Sequence, residues 1–421
     1  MRNIFGSSGL GPVAVLAGGG ASALLLALTA GPGSATTTLT VDTLTDGVAN
    51  ATDCSAPVID SCSLRDAIAA AADGDVIVFE AGLVGTSTLT EGKLFVEVGL
   101  TITGAGSDLL TIDADGNSGV FYIGSAASDV TVSGMRITGG GGNSTTGAGI
   151  DAYNSGSLDL VDVDVSGNAA SYGGGVYATG TGSFSMTDST VSNNTAGVGA
   201  GGLYLAGSLT DVLFTRSVIS GNTASQGGGG IVSYNSGDVA LVDSRVTGNT
   251  SSTGGGGKLM QGGNLVVDGS VFDGNTALGG GGIYSNNVGS VTITDSTFSE
   301  NTVSGNAGGG ALYFATTGQE ILISNSTFES NSGASWGGAL DFDADDQVVV
   351  INNSTIVGNT ASRQGGGIWK ETGGSLTINQ STITENDAAI AGGGIFLTAA
   401  SGGTAAATVV LSGSIVSANT A

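Results

Sequence analysis

The sequence of 421 residues contains no histidine, only two cysteines and only three prolines. Zinc in proteins usually takes four ligands, most often cysteine and histidine, so these residues exclude a structural zinc site of the usual kind. Lysine and arginine together number 9 against 35 aspartates and glutamates, which gives a formal net charge of −26. Such a charge repels nucleic acid and anionic membrane surfaces. We therefore expect neither as a partner.

Charge of either sign is also scarce, at 10% of residues, whereas about a quarter is usual in a globular domain. Glycine, by contrast, occurs 78 times. This composition alone would suit a flexible linker, but 40% of the residues are hydrophobic and they recur at fixed positions. The combination favours an ordered fold built from repeats.

The hydrophobic pattern repeats with steps of 26 to 33 residues, and residues 289–301 (GSVTITDSTFSEN) show one unit clearly. A near-fixed period in this range is the sequence signature of a solenoid. Each unit closes on an asparagine in the same register. These asparagines are Asn168, Asn194, Asn222, Asn249, Asn275, Asn301, Asn331, Asn359, Asn386 and Asn419.

Within each unit, apolar residues stand ten, eight and three positions before the asparagine, and serine stands five before it except at Val163. Because side chains alternate along a strand, the change of parity predicts two short strands joined at a corner. A third strand follows Gly-Gly, as at Val176 and Ile368. Three short strands per coil predict an all-β protein, a parallel β-helix, and the rule for parallel crossovers makes it right-handed.

The first part of the chain, residues 1–35, has the features of a targeting segment. Arg2 is followed by an apolar core at residues 21–30 and by small residues up to Ala35. This pattern predicts a secretory signal peptide, and an uncleaved membrane anchor is the alternative. We expect no membrane span in the mature part of the chain.

Residues 36–80 form a predicted cap region, and residues 81–421 form the β-helix. Cys54 and Cys62 are expected to form a disulfide bond, because paired cysteines in an exported chain are usually oxidised. Residues 63–72 (SLRDAIAAAA) predict a short helix that covers the open end of the solenoid. The last coil stops before its third strand, so the sequence indicates truncation at the C-terminus.

Residues 62–68 (CSLRDAI) closely resemble the Cys-Ser-Leu-Arg-Glu-Ala signature of a family of exported bacterial β-helix proteins, with Asp66 in place of glutamate. Residues 100–106 (LTITGAG) and 132–139 (VSGMRITG) follow in the order of that family. The coils are similar to the Gly-Gly-Ala-Ile repeats of chlamydial polymorphic outer-membrane proteins. The resemblance implies a secreted, cell-surface or outer-membrane β-helix, but no single activity. We interpret Arg65 and Asp66 as a helix-surface pair or a contact of the cap, rather than as catalytic residues.

Stacked coils place like residues in columns. The asparagine and serine columns are interpreted as structural ladders of hydrogen bonds. In the column six before the asparagine, Arg216 lies between Asp188 and Asp243. The sequence favours a surface ion-pair ladder there, and the base of a pectate-lyase-like site is the alternative.

A row of aromatic residues follows the inward residue of the third strand and is predicted to face outward. Such a row either stiffens the solenoid by stacking or forms a surface that binds sugar or protein. Its members are Tyr177, Tyr204, Tyr284, Tyr313, Trp369 and Phe396.

The acidic segment Asp341, Asp343, Asp345 and Asp346 interrupts this row. Four carboxylates close together are candidate calcium ligands, and Asp341 with Asp343 is a candidate carboxylate pair for glycoside cleavage. Residues 113–117 (DADGN) form a second candidate calcium turn. The plain alternative for both is a solvated acidic turn.

These observations favour a secreted or cell-surface protein, adhesin-like or structural, whose long face contacts a host or cell-surface protein or a carbohydrate. A polysaccharide lyase or glycoside hydrolase on a pectate-lyase-like β-helix is the alternative, because a fold does not fix a function. Calcium is the one cofactor that the acidic segments suggest.

Overall fold

The structure, a computed structural model, describes residues 36–54, 61–153, 156–180, 182–398 and 406–421. The predicted signal peptide lies outside these residues. From Thr38 onwards the chain winds into stacked coils whose strands pair in parallel with the coils before and after them. The predicted parallel β-helix is therefore confirmed.

One coil illustrates how the sequence forms the turns. Strand Val291–Thr294 ends at a corner, where Asp295 has a φ of 51°, and strand Thr297–Ser299 follows. After Asn301 comes a two-residue strand, Thr302–Val303, which the sequence pattern did not predict. Two residues are too few to show a period, and this strand exists because Thr302 N–H donates to the carbonyl of Asn275 one coil earlier, at 2.8 Å.

Within the described residues the strands form three sheets of 25, 12 and 9 strands, which we name the main, second and short sheets. The main sheet contains Thr38–Val41, Asp75–Phe79, Gly85–Thr88, Leu100–Thr103, Leu110–Asp113, Val130–Thr138, Leu158–Ser166, Phe184–Thr187, Thr190–Ser192, Asp211–Thr215, Val218–Ser220, Asp238–Val242, Arg245–Thr247, Leu265–Asp268, Val271–Asp273, Val291–Thr294, Thr297–Ser299, Glu320–Ser324, Thr327–Glu329, Val348–Asn352, Thr355–Val357, Ser375–Asn379, Thr382–Thr384, Thr408–Ser412 and Ile415–Ser417. The second sheet contains Leu94–Val96, Phe121–Ile123, Ile150–Ala152, Val176–Gly180, Leu203–Gly207, Ile231–Tyr234, Lys258–Gln261, Ile283–Asn286, Leu312–Phe314, Leu340–Phe342, Ile368–Lys370 and Ile395–Leu397. The short sheet contains Ala169–Ala170, Thr195–Ala196, Thr223–Ala224, Thr250–Ser251, Thr276–Ala277, Thr302–Val303, Ser332–Gly333, Thr360–Ala361 and Asp387–Ala388.

The inward positions are those that the repeat predicted. Val291, Ile293 and Phe298 are fully or almost fully buried. Phe298 stacks on Phe272 at 4.9 Å and on Phe328 at 5.0 Å between ring centroids. Stacking of like residues from consecutive coils fills the interior with a continuous apolar core.

The asparagine and serine columns are hydrogen-bond ladders, as predicted. The backbone N–H and the side-chain Nδ2 of Asn301 both donate to Oδ1 of Asn331 at 3.0 Å. Nδ2 also donates to the carbonyl of Phe272 at 2.9 Å. In the serine column, the backbone N–H of Ser217 donates to Oγ of Ser244 at 3.1 Å. Buried polar groups are thereby satisfied.

The column six residues before the asparagine, which lies at the corner between the two main-sheet strands of each coil, contains the predicted ion pair. Arg216 reaches Asp188 with two hydrogen bonds of 2.7 Å, and both side chains are about half exposed. The hydrogen bonds to Asp188 raise the pKa of the Arg216 guanidinium, with smaller contributions from the charges of Asp188 and Asp243. A bidentate exposed pair of this kind does not resemble a base held ready in a cleft.

The predicted cap helix spans Leu64–Ala70 and packs on the first coils. Ser63 and Asp66 form a capping box at its N-terminus. The predicted surface pair of Arg65 with Asp66 is wrong: Arg65 is buried and bonds Asp46 at 2.8 Å. Asp66 is instead occupied by Ser63 and by the backbone of Asn50, so the alternative, a contact of the cap, is confirmed for both residues.

The predicted disulfide between Cys54 and Cys62 is present. Strands Thr38–Val41 and Asp75–Phe79 flank this region and pair with each other in the main sheet. Both strands lie within the predicted cap region, which therefore contributes strands to the main sheet. No helix among the described residues is long and apolar enough to cross a membrane.

Candidate functional site

The outward residues of the second sheet form one column along the solenoid, which we name the outer column. Ten of its members are aromatic or aliphatic and two are carboxylates, Asp151 and Asp341. In order the column is Phe95, Tyr122, Asp151, Tyr177, Tyr204, Val232, Leu259, Tyr284, Tyr313, Asp341, Trp369 and Phe396.

All six predicted aromatic residues lie in this column, but Val232 and Leu259 divide them into two patches. Tyr177 stacks on Tyr204 at 5.4 Å, and Tyr284 stacks on Tyr313 at 4.9 Å. Five further aromatic residues on this face were not predicted from the sequence: Phe95, Tyr122, Tyr153, Tyr172 and Trp336. Phe95, Tyr122 and Tyr153 precede the first asparagine of the repeat, and Tyr172 and Trp336 lie in the turns before strands of the second sheet.

Asp341 is the buried carboxylate of the second patch. The sheet register places it between Tyr313 and Trp369, and neither of its oxygens has a hydrogen-bond partner among the described residues. A side chain at position 308 would collide with its Oδ2, so Gly308 is needed there. Burial, followed by the charges of Asp343 and Glu371, raises the pKa of Asp341 well above its usual range. Burial and the neighbouring charges therefore both favour the protonated form of this carboxyl group.

Asp343 follows the same strand and faces an open pocket of about 440 Å³. The hydroxyl of Tyr313 donates to its Oδ2. Burial raises the pKa of Asp343, the hydrogen bond from Tyr313 opposes the rise, and the charge of Glu371 adds to it. Asp345, Glu371, Thr317 and Thr372 complete the polar lining, and we name this site the acidic pocket.

Glu371 also lines the acidic pocket, but the sequence pattern did not predict it. It lies 28 residues after Asp343, which is one coil, so stacking brings the two carboxylates to the same pocket. The hydroxyl of Thr398 donates to its Oε1 at 2.8 Å, and the backbone N–H of Thr372 donates at 3.2 Å. The near-constant spacing of the coils is the sequence signal that could have identified it.

Lys370 lies directly before Glu371 and points inward. Its Nζ donates to the carbonyls of Glu371 at 3.1 Å and Gly373 at 3.2 Å. Burial lowers the pKa of Lys370, whereas the charges of Glu371, Asp345 and Asp346 oppose this. The only lysine near the acidic pocket among the described residues is thus beneath it and not on its surface.

The four predicted calcium ligands do not converge. Asp341 is fully buried, Asp345 accepts a hydrogen bond from Thr372 at 2.5 Å, and Asp346 is exposed on a turn with a φ of 58°. Nowhere in the described part of the chain do three acidic or cysteine side chains form a group that could hold a metal ion. In the second candidate turn, Asp113 instead accepts from the backbone N–H of Asp115 at 2.8 Å.

The acidic pocket can perform acid–base chemistry. Two carboxyl groups in different environments are what glycoside hydrolysis needs, one to protonate the leaving oxygen and one to activate water or attack the sugar. Of the two predicted catalytic aspartates, Asp343 faces the acidic pocket, whereas Asp341 is enclosed behind it between two rings. The geometry therefore pairs Asp343 with Glu371, and not with Asp341.

Comparison with known proteins supports the architecture. Residues 174–354 match the family described as a right handed beta helix region. A search among curated proteins returned no match.

Two solved structures are similar to the chain. The first is the catalytic unit of a thermostable GH87 α-1,3-glucanase from Streptomyces thermodiastaticus strain HF3-3, at 18% identity and a TM-score of 0.55, covering 85% of this chain and 66% of that one. The second is pectate lyase Pel9A, at 14% identity and a TM-score of 0.39, covering 87% and 79% respectively. The chain thus spans 66% of the length of the glucanase catalytic unit, and at this identity the likeness concerns the fold alone. With the matched family and the strand pairing together, the protein is a right-handed parallel β-helix.

Proposed function

We propose that this protein is a glycoside hydrolase that cleaves a neutral polysaccharide at the acidic pocket. The observation that carries the proposal is the pairing of Asp343 and Glu371, which come from adjacent coils and line one open pocket. The fold shared with a glucanase catalytic unit is consistent with this function, and it favours the enzyme over the adhesin-like protein that the sequence suggested first.

Asp343 is the proton donor in this mechanism. Its raised pKa favours the protonated form that a general acid needs, and the Tyr313 hydroxyl fixes the carboxyl group in place. Glu371 supplies the second carboxylate and is oriented by Thr398 and by the backbone of Thr372. Asp341 acts as a positioning residue, because its enclosed carboxyl lies between the rings beside the acidic pocket.

The acidic pocket suits hydrolysis of a neutral polysaccharide better than it suits the elimination reaction by which a lyase cleaves a uronic-acid polysaccharide. A lyase must bind a uronate carboxylate, and cationic groups do this best. The acidic pocket is lined by Asp343, Asp345 and Glu371, and no arginine or lysine is on its surface among the described residues. The net charge of −26 repels polyanions in addition.

A panel of polysaccharides tests the proposal. Purified protein is incubated with α-1,3-glucan, other neutral glucans and pectate, with and without calcium, and new reducing ends are measured. We expect turnover of a neutral glucan that falls by roughly 10²–10⁴-fold in Asp343→Asn and in Glu371→Gln. Glu320→Gln is the matched control, because Glu320 is an exposed carboxylate on the main sheet.

Two results would refute the proposal: no turnover of any polysaccharide, or full activity in both pocket variants. The first result would make an adhesin-like function, as a secreted or cell-surface protein, the better hypothesis. Turnover of pectate alone, dependent on calcium, would favour the lyase.

A further inference from the structure

The first patch of the outer column has chemistry that the acidic pocket does not use. Phe95, Tyr122, Tyr153, Tyr177 and Tyr204 form a continuous run of rings, with centroids 5.5, 5.8, 5.7 and 5.4 Å apart in that order. We name this run the N-terminal aromatic row. The four tyrosines are half-buried and Phe95 is exposed, so each presents part of a ring to solvent.

A buried ion pair interrupts the outer column at this row. Asp151 is only 4% exposed, and its Oδ2 accepts from Nζ of Lys93 at 3.2 Å. Its Oδ1 has no hydrogen-bond partner among the described residues. A buried carboxylate oxygen without a partner is costly and uncommon in structures.

Lys93 and Thr146 connect the aromatic row to a groove. Lys93 lies across Gly119, where an added Cβ would approach its Cε to 2.7 Å, and Thr146 bonds the hydroxyl of Tyr153 at 3.2 Å. Both residues line a pocket of about 390 Å³ with Asn117 and Asn143. A second pocket of about 280 Å³ shares Asn143 with it, so the groove extends over more than one coil.

The side chains that line this groove indicate the chemical class of its ligand. Hydroxyl and amide groups can donate and accept hydrogen bonds, as sugar hydroxyls do. Tyrosine rings offer flat apolar faces with a polar edge, which suits the ring of a pyranose. The one cation in the lining, Lys93, is already neutralised by Asp151, so the groove has no free positive charge for an anionic ligand.

We propose that the N-terminal aromatic row and its groove bind a neutral polysaccharide chain at a distance from the acidic pocket. The choice of a polysaccharide rests on the proposed function. Both sites lie on the same face of the second sheet, and Asp151 is seven coils from Asp341. At about 4.8 Å per coil this is roughly 34 Å, a span that a long glucan can bridge and a short oligosaccharide cannot. The N-terminal aromatic row binds the polysaccharide, and the acidic pocket hydrolyses it.

Affinity electrophoresis tests the binding without any need for turnover. Native gels containing soluble starch, dextran, a soluble β-glucan or polygalacturonate are run with wild-type protein and variants. We expect retardation in at least one neutral polysaccharide, and a roughly tenfold weaker affinity in Tyr153→Ala and in Lys93→Gln. Tyr153→Phe keeps the ring and should retain binding within about twofold. Leu322→Ala, at an exposed apolar position on the outer face of the main sheet, is the matched control and should bind as wild type.

The outcome separates this inference from the proposed function. Asp343→Asn should lose hydrolysis and keep full retardation. Retardation that depends on Tyr153 and Lys93 without any hydrolysis would support the inference while refuting the enzyme. The inference is wrong if no neutral polysaccharide retards the protein, if retardation is the same in Tyr153→Ala and Lys93→Gln, or if polygalacturonate is the better ligand. Circular dichroism of each variant shows whether its fold is retained, and a misfolded Tyr153→Ala leaves the decision to Lys93→Gln and Gly119→Ala, whose added Cβ displaces Lys93.

Discussion

Asn301 shows how much one buried side chain contributes to this fold. Its Oδ1 accepts from the backbone N–H of Asn275 at 3.1 Å and from Nδ2 of Asn275 at 2.9 Å. The residue is fully buried, so water cannot replace these bonds. The outer face of the main sheet carries a similar amide contact, from Nδ2 of Asn379 to Oδ1 of Asn352 at 2.9 Å, but those residues are only half-buried.

We expect Asn301→Ala to lower the free energy of unfolding by about 3 kcal/mol, since two buried donors lose their acceptor at about 1–3 kcal/mol each. Asn379→Ala removes a hydrogen bond to Asn352 at a half-buried site, where water can replace it. This variant should lower the free energy of unfolding by less than about 1 kcal/mol. Urea denaturation of both variants measures the difference. Equal losses in the two variants would contradict a role for burial.

Lys258 is an exception among the inward residues of the second sheet. It pairs in register with Ile231 and Ile283, is fully buried, and donates to Oγ of Ser233 at 2.8 Å. Burial lowers the pKa of Lys258 to about 7. The free amine is therefore the form that fits the interior, because a desolvated ammonium without a counter-charge is unfavourable.

The sign of the resulting pH dependence follows from linkage. Between the folded pKa of about 7 and the unfolded value of 10.5, the unfolded chain binds one more proton at Lys258 than the folded chain. The free energy of unfolding therefore rises with pH across this window, by about 1.4 kcal/mol per pH unit. Below about pH 7 the full destabilisation by buried Lys258 is present. Lys258→Met should be more stable than wild type near pH 7, and the difference should shrink towards pH 10.5. A difference that does not change with pH would show that Lys258 does not titrate in this way.

The cap helix and the disulfide stabilise one element, the first coil. Arg65 joins them to it by donating to Asp46 and to the carbonyls of Gly92 and Lys93. Helix Leu64–Ala70 packs on strands of the first coils and covers their edge. An uncovered edge would offer unpaired backbone groups to other chains.

Removal of the disulfide should therefore act locally. We expect the double variant Cys54→Ser, Cys62→Ser to lose roughly 2–3 kcal/mol in the chain-entropy account. Because coils contact only their neighbours, amide exchange should accelerate in strands Thr38–Val41 and Asp75–Phe79 and stay unchanged in Ile415–Ser417. Uniform acceleration along the whole chain would show that the solenoid unfolds as a single unit.

The molecule as a whole is quasi-one-dimensional. Every strand of the main sheet in the coil of Asn301 pairs with the same positions one coil before and one coil after. Stability in such an array is approximately a sum of the coils and the contacts between neighbours. Interchangeable coils predict tolerance of a change that a globular core would not survive.

Excision of residues 276–301 removes one coil and joins Asn275 to Thr302 in the correct register. We expect this protein to fold with a cooperative thermal transition and a β-type circular dichroism spectrum, since Phe272 then stacks near Phe328. Excision of residues 276–288 removes strands Thr276–Ala277 and Ile283–Asn286, so one coil loses its strands in the short and second sheets and the adjacent coils should unfold. The hypothesis of interchangeable coils is wrong if the two excisions are equally damaging.

Much of this architecture could be predicted from the spacing of residues along the chain. The period predicted the coils, the inward set including Phe298 and the asparagine ladder, and the local sequence of residues 63–72 predicted the cap helix. Each of these depends on residues that are close together in the chain or repeated at a near-constant interval. The disulfide was predictable for the same reason, since Cys54 and Cys62 are eight residues apart. The two-residue strands such as Thr302–Val303 were missed because their hydrogen bonds come entirely from neighbouring coils.

The candidate sites were decided by stacking. Asp341 and Asp343 are two residues apart and looked like a pair, but Asp341 lies within the strand and is fully buried, whereas Asp343 lies past the end of the strand and lines the pocket. Glu371 and Asp343 are 28 residues apart and become neighbours, as do Lys93 and Asp151 across 58 residues. A carboxylate acquires its pKa and its partners from groups one or two coils away. The register of the coils, and not the order of residues, therefore determines which side chains can act together.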